Sequence, residues 1–431
     1  MKNVYASLIF PCLFFFLILS WLLIGNPFIG LFINLAATFL IYSYSKGFFY
    51  HPAAWGSLFI STYNLSIVIL HFLGLRVVKN LNELVLINLI ALAGFLLPLL
   101  LLTKSGGLNL KWGNNASTSL SKALLVIFYG VTFLVCLDFV SSGASVKSQY
   151  DSKLLPFFNI ANFYAALYIC FTWGVKRKTP TFSLVFLFLY LLFASLLLGE
   201  RNVFFSYMAL VTVLVFVFNP GKVSWGYLIS FAVILLIPIL GEYKNFFTRS
   251  SFNEIEFSNI FIDLLNGEFR SAGFNIDVIL NNFRDYKYGS SIVGDLLRSL
   301  VPGFVYDFQN SVGWYNNEYH PHLVEIGRGY GFSLAAEGYI NFSYFGVFIW
   351  FLIYSCIVSS LYNLSQKSPY FLAIYSASIP SFIYSLRGDF STLLSPLIKG
   401  ALLPLVLFLI LRLMLKNLGV LYDTKKSSCC Y

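Results

Sequence analysis

The chain has 431 residues, of which 58% are hydrophobic and only 11% are charged, and its formal net charge is +10 at pH 7. A soluble domain carries roughly a quarter charged residues, so this composition excludes a soluble enzyme. The apolar residues form long runs that do not alternate with polar ones, which favours membrane-spanning helices over the strands of a membrane barrel. The sequence therefore predicts an all-α, polytopic membrane protein.

Twelve apolar segments are long enough to cross a bilayer as helices. They lie at 5–24, 27–45, 53–73, 84–103, 123–141, 155–175, 182–198, 203–219, 225–241, 339–362, 370–386 and 398–415. The first segment is predicted to be a retained helix, because it lacks a small-residue cleavage site and the next segment follows after only Gly25, Asn26 and Pro27.

Lysine and arginine are distributed unevenly over the predicted loops. With the N-terminus in the cytoplasm, fourteen of the 28 basic residues fall on the inner side and seven in the short outer loops and span ends. Inner loops of membrane proteins are enriched in lysine and arginine, so the bias predicts that both termini are cytoplasmic. It also explains the positive net charge as anchoring to membrane lipid, which argues against a nucleic-acid partner.

One connection is far longer than the others and faces outward. It divides the chain into nine spans over 1–241, a large extracytoplasmic loop over 242–338, and three spans with a cytoplasmic tail over 339–431. The many apolar and aromatic residues of this loop argue against disorder. Apolar residues at helical spacing over Phe257–Leu265 and Ile292–Leu300 predict short amphipathic helices packed over the outer mouth of the bundle. An enzyme that acts on a lipid-linked substrate needs such a cap, whereas a transporter seldom does.

Charged residues beside the spans are candidates for chemistry, because charge inside the bilayer is costly. Arg201 lies in a tight turn next to Glu200, where it either forms a local ion pair or faces a phosphate. Arg387 follows the eleventh span and precedes Gly388. It is either a snorkelling residue at a helix end or a bidentate phosphate ligand.

The long loop contributes a second set of candidates, namely Arg270, His320, His322, Glu325, Arg328 and Glu337. A histidine or glutamate can act as a general base, although both histidines also fit a role as plain surface residues. Their spacing matches no specific zinc motif, and the loop has no cysteine. The glycine-rich stretch 327–331 lacks the Lys-Ser/Thr pair of a nucleotide-binding loop. No metal or other cofactor is predicted.

Residues 334–348 resemble the stretch that closes the large outer loop in oligosaccharide repeat-unit polymerases, the O-antigen polymerase (Wzy-type) family. That family shows a glutamate, an aromatic residue, Asn-Phe-Gly and a second glycine, and the matching residues here are Glu337, Tyr339, Asn341, Phe342 and Gly346. Ser343 stands where the first glycine is usual. The turn at 199–201 and Arg387-Gly388 are similar to arginine positions that follow spans in these enzymes, and the span count and the late outer loop also match.

The resemblance implies a metal-independent membrane glycosyltransferase, similar to the multi-span C type, in the bacterial inner membrane. Such an enzyme transfers a growing glycan from undecaprenyl pyrophosphate to an incoming undecaprenyl-pyrophosphate-linked unit on the outer face. A separate chain-length regulator is the expected protein partner. The implied ligands of the pyrophosphate and glycan are Arg201, Arg270, Arg328, Arg387, Asn341 and His320. The implied candidates for the catalytic base are Glu337, Glu325 and His322.

Two other functional classes stay open. A flippase or other transporter for the same lipid-linked units has a similar number of spans but short loops, so the long loop favours an enzyme. The O-antigen ligase shares the late outer loop and passes the finished glycan to lipid A. It differs from the polymerase in its acceptor only, and the sequence separates the two poorly.

Overall fold

The computed structural model describes residues 25–110, 112, 117–143, 156–198, 201–219, 265, 267, 269–283, 285–301, 305–306, 308–325 and 329–419. Within these ranges the chain forms helices and connections, with no strand. The helices that precede the long loop are α1 (Pro27–Tyr44), α2 (Pro52–Phe72), α3 (Leu81–Leu102), α4 (Thr118–Ser141), α5 (Phe157–Ile169), α6 (Thr181–Leu198) and α7 (Arg201–Phe218). A π-helical segment, Cys170–Val175, extends α5.

Four further helices lie in the long loop and four follow it. The loop helices are α8 (Arg270–Asn282), α9 (Ser290–Leu300), α10 (Ser311–Tyr319) and α11 (Pro321–Glu325). The later helices are α12 (Leu334–Ser365), α13 (Pro369–Ser385), α14 (Phe390–Leu397) and α15 (Leu403–Asn417), with a π-helical turn, Ile398–Leu402, joining the last two.

The predicted spans that fall on described residues all coincide with helices. Eight helical segments of the described chain are long and apolar enough to cross a membrane. The apolar helix Asn202–Phe218 within α7 and the 17-residue α13 are shorter. The spans predicted at 5–24 and 225–241 lie outside the described residues, as does nearly all of the amphipathic helix predicted over Phe257–Leu265. The second amphipathic helix is confirmed as α9.

Helix starts follow a simple local code. Asn26, His51 and Ser368 each accept a hydrogen bond from a backbone N–H of the first turn, and each is followed by proline at the first helical position. A polar cap satisfies an N–H that has no partner inside the helix, and proline lacks the N–H altogether. Two helices begin earlier than the sequence predicted, because a polar capping residue precedes each of them. Ser333 caps α12 and Asp389 caps α14, so these helices begin before the apolar runs that predicted them.

The first three helices are joined by polar side chains inside the bundle. Asn88 donates to Asn34 Oδ1 at 2.6 Å and accepts from Asn64 Nδ2 at 3.1 Å. The hydroxyls of Thr38 and Ser61 lie 2.5 Å apart. Hydrogen bonds of this kind hold helices together where water and the hydrophobic effect are absent. Gly94 allows α3 and α12 to approach closely, because a Cβ at this position would lie 2.4 Å from the Phe348 carbonyl oxygen.

Helix α12 contains a sharp kink at Phe342 and Ser343. Ser343 has φ 55° and ψ −143°, a conformation that is nearly exclusive to glycine. The kink folds the chain back so that a Cβ on Gly346 would lie only 2.0 Å from the Gly338 carbonyl oxygen. Ser343 therefore occupies the position at which the resembled family usually has glycine, and the backbone shows why glycine suits it.

Replacing Ser343 by glycine is expected to stabilise the protein. The left-handed backbone costs a non-glycine residue about 1–3 kcal/mol, while glycine costs about 0.5–1 kcal/mol in unfolded-chain entropy. Thermal unfolding in detergent should show a higher midpoint for Ser343→Gly. The matched control is Ser359→Gly, in the regular part of α12, which should lower it. A fall in both variants would contradict a strained Ser343.

Helices α8 to α11 lie at one end of the bundle, called here the loop end, where α2 and α13 terminate and α12 and α14 begin. Helix α8 packs closely on α2. Ser66 Oγ of α2 donates to the Phe269 carbonyl at 2.9 Å, and a Cβ on Gly273 would lie only 3.0 Å from the Ile67 side chain. Asn80, just before α3, donates twice to Asp277 of α8. These contacts place the loop helices over the bundle.

Candidate functional site

A short segment without regular secondary structure, residues 329–333, lies at the loop end and is called here the central segment. A Cβ on Gly331 would lie 2.8 Å from the Arg387 carbonyl oxygen, so the segment passes directly against that turn. Asn316 of α10 pairs with the backbone of Tyr330, donating at 2.8 Å and accepting at 2.7 Å. Asn275 of α8 donates to the Gly331 carbonyl. The central segment therefore contacts side chains of α8 and α10 and the backbone of the α13–α14 turn.

Arg76 and Arg270 lie near each other without a carboxylate partner in the described chain, and Arg270 is close to Tyr330 of the central segment. Burial, together with the positive charge of nearby Arg76, lowers the pKa of Arg270. The Arg270 guanidinium is 6.0 Å from the Phe274 ring centroid and is close enough to Tyr330 to feel its charge. Two like charges held together and partly desolvated are stabilised by an anion between them. This part of the site is suited to phosphate oxygens.

Arg387 is a third arginine, in the turn whose backbone packs against Gly331 of the central segment. It lies 4.7 Å from the Tyr384 ring centroid and close to Tyr63 of α2. Burial lowers the pKa of Arg387, although an arginine stays protonated at neutral pH. The backbone N–H of Arg387 donates to the Tyr384 carbonyl at 3.1 Å, which fixes the turn after α13.

His320 follows α10 and is oriented by a hydrogen-bonded relay. The Tyr315 hydroxyl donates to Asn275 Oδ1 at 2.8 Å and lies 3.1 Å from His320 Nε2. Because that hydroxyl has one hydrogen, Nε2 carries the proton of the second bond and Nδ1 keeps its lone pair. Burial and the charge of His322 lower the pKa of His320. The ring is thus a neutral base with Nδ1 as its acceptor atom.

Asp389 links the α13–α14 turn to the loop helices. One carboxylate oxygen accepts from the Thr392 backbone N–H at 2.8 Å, the Thr392 hydroxyl at 2.7 Å and the Ser391 hydroxyl at 2.8 Å. The other accepts from the Val312 backbone N–H of α10 at 3.0 Å. A single buried side chain therefore caps α14 and holds the first turn of α10, two residues after Arg387.

Two further buried carboxyls adjoin Asp389, and the three are called here the carboxyl cluster (Asp295, Glu337 and Asp389). Asp295 accepts from the Ser311 N–H at 3.0 Å and from its hydroxyl at 3.1 Å. Glu337 Oε2 accepts from the Phe390 N–H at 2.8 Å. Burial and the charge of Asp389 raise the pKa of Asp295 to about 7, against opposing hydrogen bonds from Glu337 and Ser311. In the described chain no group of three His, Cys, Asp or Glu is placed to hold a metal ion.

The structure brings some of the predicted site residues together. Arg270 and His320 both lie close to Tyr330 of the central segment, and the backbone of Arg387 packs against Gly331. Glu337, in the carboxyl cluster, accepts from the N–H of Phe390, three residues after Arg387. Glu337 is fully buried, so in this structure its carboxyl holds the α14 backbone and does not face an open cavity. That geometry suits a positioning residue better than a base.

Other predicted site residues lie apart from the central segment. His322 and Glu325 are exposed on α11, and the His322 ring centroid is 6.3 Å from that of His320. Asn341 sits at the kink, where it donates to Ser291 and accepts from Gly289, tying α12 to the start of α9. Its partners in the structure are therefore protein groups.

Two of the predicted arginines cannot be placed. Arg328 lies outside the described residues, and so does the side chain of Arg201, whose backbone begins α7.

Several residues of the site were missed by sequence analysis. Arg76 was counted only as one of the outer-loop charges, and Asp295 is the single acid of the predicted helix over Ile292–Leu300. Asp389 belongs to the same Arg-Gly-Asp triplet as Arg387, and an acid so close to a candidate arginine was the available signal. The Tyr315–Asn275 relay had no signal in the sequence, since its members are forty residues apart.

These features define a class: a multi-pass helical membrane protein with a cationic, tyrosine- and histidine-lined site at one end. The family model for the O-antigen polysaccharide polymerase Wzy matches residues 4–418, nearly the whole chain. The chain belongs to this family, which confirms the resemblance and makes it a multi-pass protein of the bacterial inner membrane. The family consists of glycosyltransferase-type polymerases that act on lipid-linked oligosaccharide repeat units. Searches of curated proteins and of solved structures give no match.

Proposed function

We propose that this protein transfers a growing glycan from undecaprenyl pyrophosphate to the terminal sugar of an incoming undecaprenyl-pyrophosphate-linked repeat unit. The loop end of the bundle then faces the outer side of the inner membrane. The observation that carries the proposal is that Arg270, with Arg76 near it, and His320 both lie close to Tyr330 of the central segment. The backbone of Arg387 packs against Gly331 of the same segment. The site offers anion-binding groups and a base, which are the two needs of this reaction.

The arginines act on the leaving group. As the bond between the anomeric carbon and the pyrophosphate oxygen breaks, that oxygen takes the electron pair and its negative charge grows. Preorganised cations beside it stabilise this charge more than they stabilise the substrate. Arg76 and Arg270, which lack a carboxylate partner in the described chain, bind the phosphates. Arg387, whose guanidinium lies over the Tyr384 ring, adds a further positive charge. The activated donor supplies the energy, which fits the missing nucleotide motif.

His320 acts on the acceptor hydroxyl. The hydroxyl oxygen bonds to the anomeric carbon and its proton passes to Nδ1, the ring nitrogen that carries no hydrogen. Tyr315 holds the ring in this tautomer by accepting from Nε2. A single displacement of this kind inverts the anomeric centre.

The carboxyl cluster positions these groups. Asp389 fixes the start of α10, whose last turn leads to His320, and it lies next to the Arg387 turn. Glu337 and Asp295 hold the first residues of α14 and α10. We assign these carboxyls to positioning because they are fully buried and accept hydrogen bonds from the backbone of α10 and α14.

Replacing His320 by alanine should reduce the rate of glycan elongation by about 10²–10⁴-fold, as expected for loss of a general base. In the wild type the rate should be retained at high pH and lost as the pH falls through the pKa of His320, which lies below the ordinary value for histidine. Initial rates in membrane vesicles between pH 5 and pH 8 measure both effects.

Two further variants sharpen this test. Tyr315→Phe removes the acceptor of the Nε2–H bond and should lower the rate while shifting the acidic limb of the pH profile. His322→Ala leaves the relay intact and should lower the rate far less. The opposite pattern, with activity lost in His322→Ala and kept in His320→Ala, would assign the base to His322.

The function itself is tested in cells that lack this gene but keep the rest of the glycan pathway. The proposal predicts a single repeat unit on the surface lipid without the protein and a full ladder when the wild type is restored. Complete absence of surface glycan in the deletion strain would instead indicate a flippase. A full ladder that stays on undecaprenyl pyrophosphate would indicate a ligase.

A further inference from the structure

Helix α9 in the long loop is amphipathic, but its polar face is packed against the protein and its apolar face is exposed. Asp295 and Ser299 are fully buried against the protein, and Ser291 and Arg298 are half-buried. The opposite face carries four large apolar side chains that are exposed, namely Val293 (57%), Leu296 (38%), Leu297 (36%) and Leu300 (58%). In water such a helix would turn its apolar stripe inward. The exposed stripe therefore needs an apolar environment outside the protein.

The inner face of α9 is firmly attached, so the helix has no freedom to rotate its stripe inward. Asp295 accepts two hydrogen bonds from Ser311, and Asn341 donates to Ser291 at the first turn. At the other end Lys399 Nζ donates to the carbonyls of Arg298 and Val301, both at 2.7 Å. The orientation of the stripe is thus set by specific polar contacts.

Helix α9 packs beside a candidate membrane span whose exposed side chains are apolar. Helix α9 packs against α14 and the π-helical turn that follows it, which are the first part of the candidate span Phe390–Asn417. Further along this span the exposed side chains are apolar, among them Leu403, Leu407 and Ile410. The exposed face of α9 itself carries no charge.

Tyrosines flank α9 at both ends. Tyr288 precedes the helix and is 75% exposed, and Tyr306 follows it and is 62% exposed. Tyrosine is enriched at the membrane–water interface, where the ring is apolar and the hydroxyl is hydrated. A short amphipathic helix between two exposed tyrosines has the pattern of a segment that lies in the plane of the interface.

We propose that α9 lies in the lipid interface at the loop end, with Val293, Leu296, Leu297 and Leu300 inserted among the acyl chains of the adjacent leaflet. The occupant of the stripe is the bilayer of the membrane that the protein spans. Because Asp295 of the same helix belongs to the carboxyl cluster, α9 fixes the depth of the site relative to the lipid headgroups. This is the level at which the phosphates of a lipid-linked substrate lie.

The test uses the full-length protein in lipid nanodiscs, with single cysteines introduced by Val293→Cys, Leu296→Cys or Leu300→Cys and labelled with a nitroxide. The cysteines are introduced into a variant whose six native cysteines are replaced by alanine. This variant must elute like the wild type in size-exclusion chromatography. Collision rates with oxygen, which concentrates in lipid, are compared with those of a water-soluble nickel chelate. Asn317→Cys on α10 is the aqueous reference, and Leu407→Cys in the span is the lipid reference.

The expected result is that the three labels on α9 collide more with oxygen than with the nickel chelate, like Leu407→Cys, while Asn317→Cys shows the reverse. Greater access for the nickel chelate at all three positions would place the stripe in water and overturn the proposal. Poor access for both reagents would also overturn it, because the stripe would then be covered by protein, such as a second copy of this chain. The three positions span two turns, so one variant that fails to fold leaves two that report.

Discussion

Arg387→Ala is expected to abolish the glycan ladder in complemented cells, with elongation reduced by about 10²–10³-fold, the usual cost of removing one preorganised stabiliser of a developing negative charge. The guanidinium is held 4.7 Å from the Tyr384 ring beside the central segment, so the loss should appear mainly in the rate of transfer. Arg387→Lys keeps the charge but lacks the bidentate fork, and should recover only part of the activity.

The matched control for this prediction lies at the opposite end of the bundle. Arg412 of α15 donates to the Tyr370 hydroxyl at 2.6 Å, so Arg412→Ala removes a half-buried arginine that has a local partner but no place in the site. At equal protein levels it should retain the ladder. A full ladder with Arg387→Ala would show that Arg387 does not stabilise the pyrophosphate leaving group.

The second large effect concerns stability and arises from the carboxyl cluster. Burial and the charge of Asp389 raise the pKa of Asp295 from 3.8 to about 7 in the folded state. The folded protein therefore binds more protons than the unfolded chain between about pH 4 and pH 7, and the free energy of unfolding falls as the pH rises through this range. At about 1.4 kcal/mol for each unit of pKa, the loss amounts to a few kcal/mol.

Asp295→Asn should remove most of this pH dependence. The asparagine oxygen still accepts from the Ser311 N–H, and its amide can donate to a neighbouring carboxylate, so no buried charge remains at this position. Thermal unfolding midpoints in detergent from pH 5 to pH 8.5 should fall for the wild type and stay nearly level for Asp295→Asn, with the variant more stable above pH 7.

The control for this prediction is Asp277→Asn, an acid of α8 that accepts from Asn80 outside the carboxyl cluster. It should leave the pH dependence of the wild type unchanged. Equal slopes for the wild type and Asp295→Asn would show that Asp295 does not titrate in this range.

The membrane helices follow from the sequence because the bilayer demands long apolar runs. The edges that were misplaced belong to helices whose starts are polar: α12 begins at Leu334 and α14 at Phe390, each after a capping side chain. The kink at Ser343 was also invisible to hydropathy, since a serine inside an apolar run looks like any other helical residue. Its cause is a backbone conformation, and only the structure displays it.

Some residues of the candidate site could likewise be predicted from the sequence and others could not. Arg387 stood out because charge is rare beside membrane spans. Arg270 and His320 were candidates because they lie in the unusually long loop. The carboxyl cluster did not, because Asp295, Glu337 and Asp389 come from three helices separated by more than forty residues. For α9 the spacing of apolar residues predicted an amphipathic helix, but spacing alone does not tell which face is covered. Its polar contacts to Ser311 and Lys399 decide that, and they are long-range.

The most direct test of the central claim starts from the product that accumulates in cells lacking this gene. That lipid-linked single unit is extracted and added to the purified protein in nanodiscs, and the glycans are resolved on a gel over time. The wild type is predicted to convert the single unit into a ladder and to release undecaprenyl pyrophosphate, without nucleotide or lipid A. A single unit that persists unchanged, or elongates only when lipid A is supplied, would contradict a polymerase.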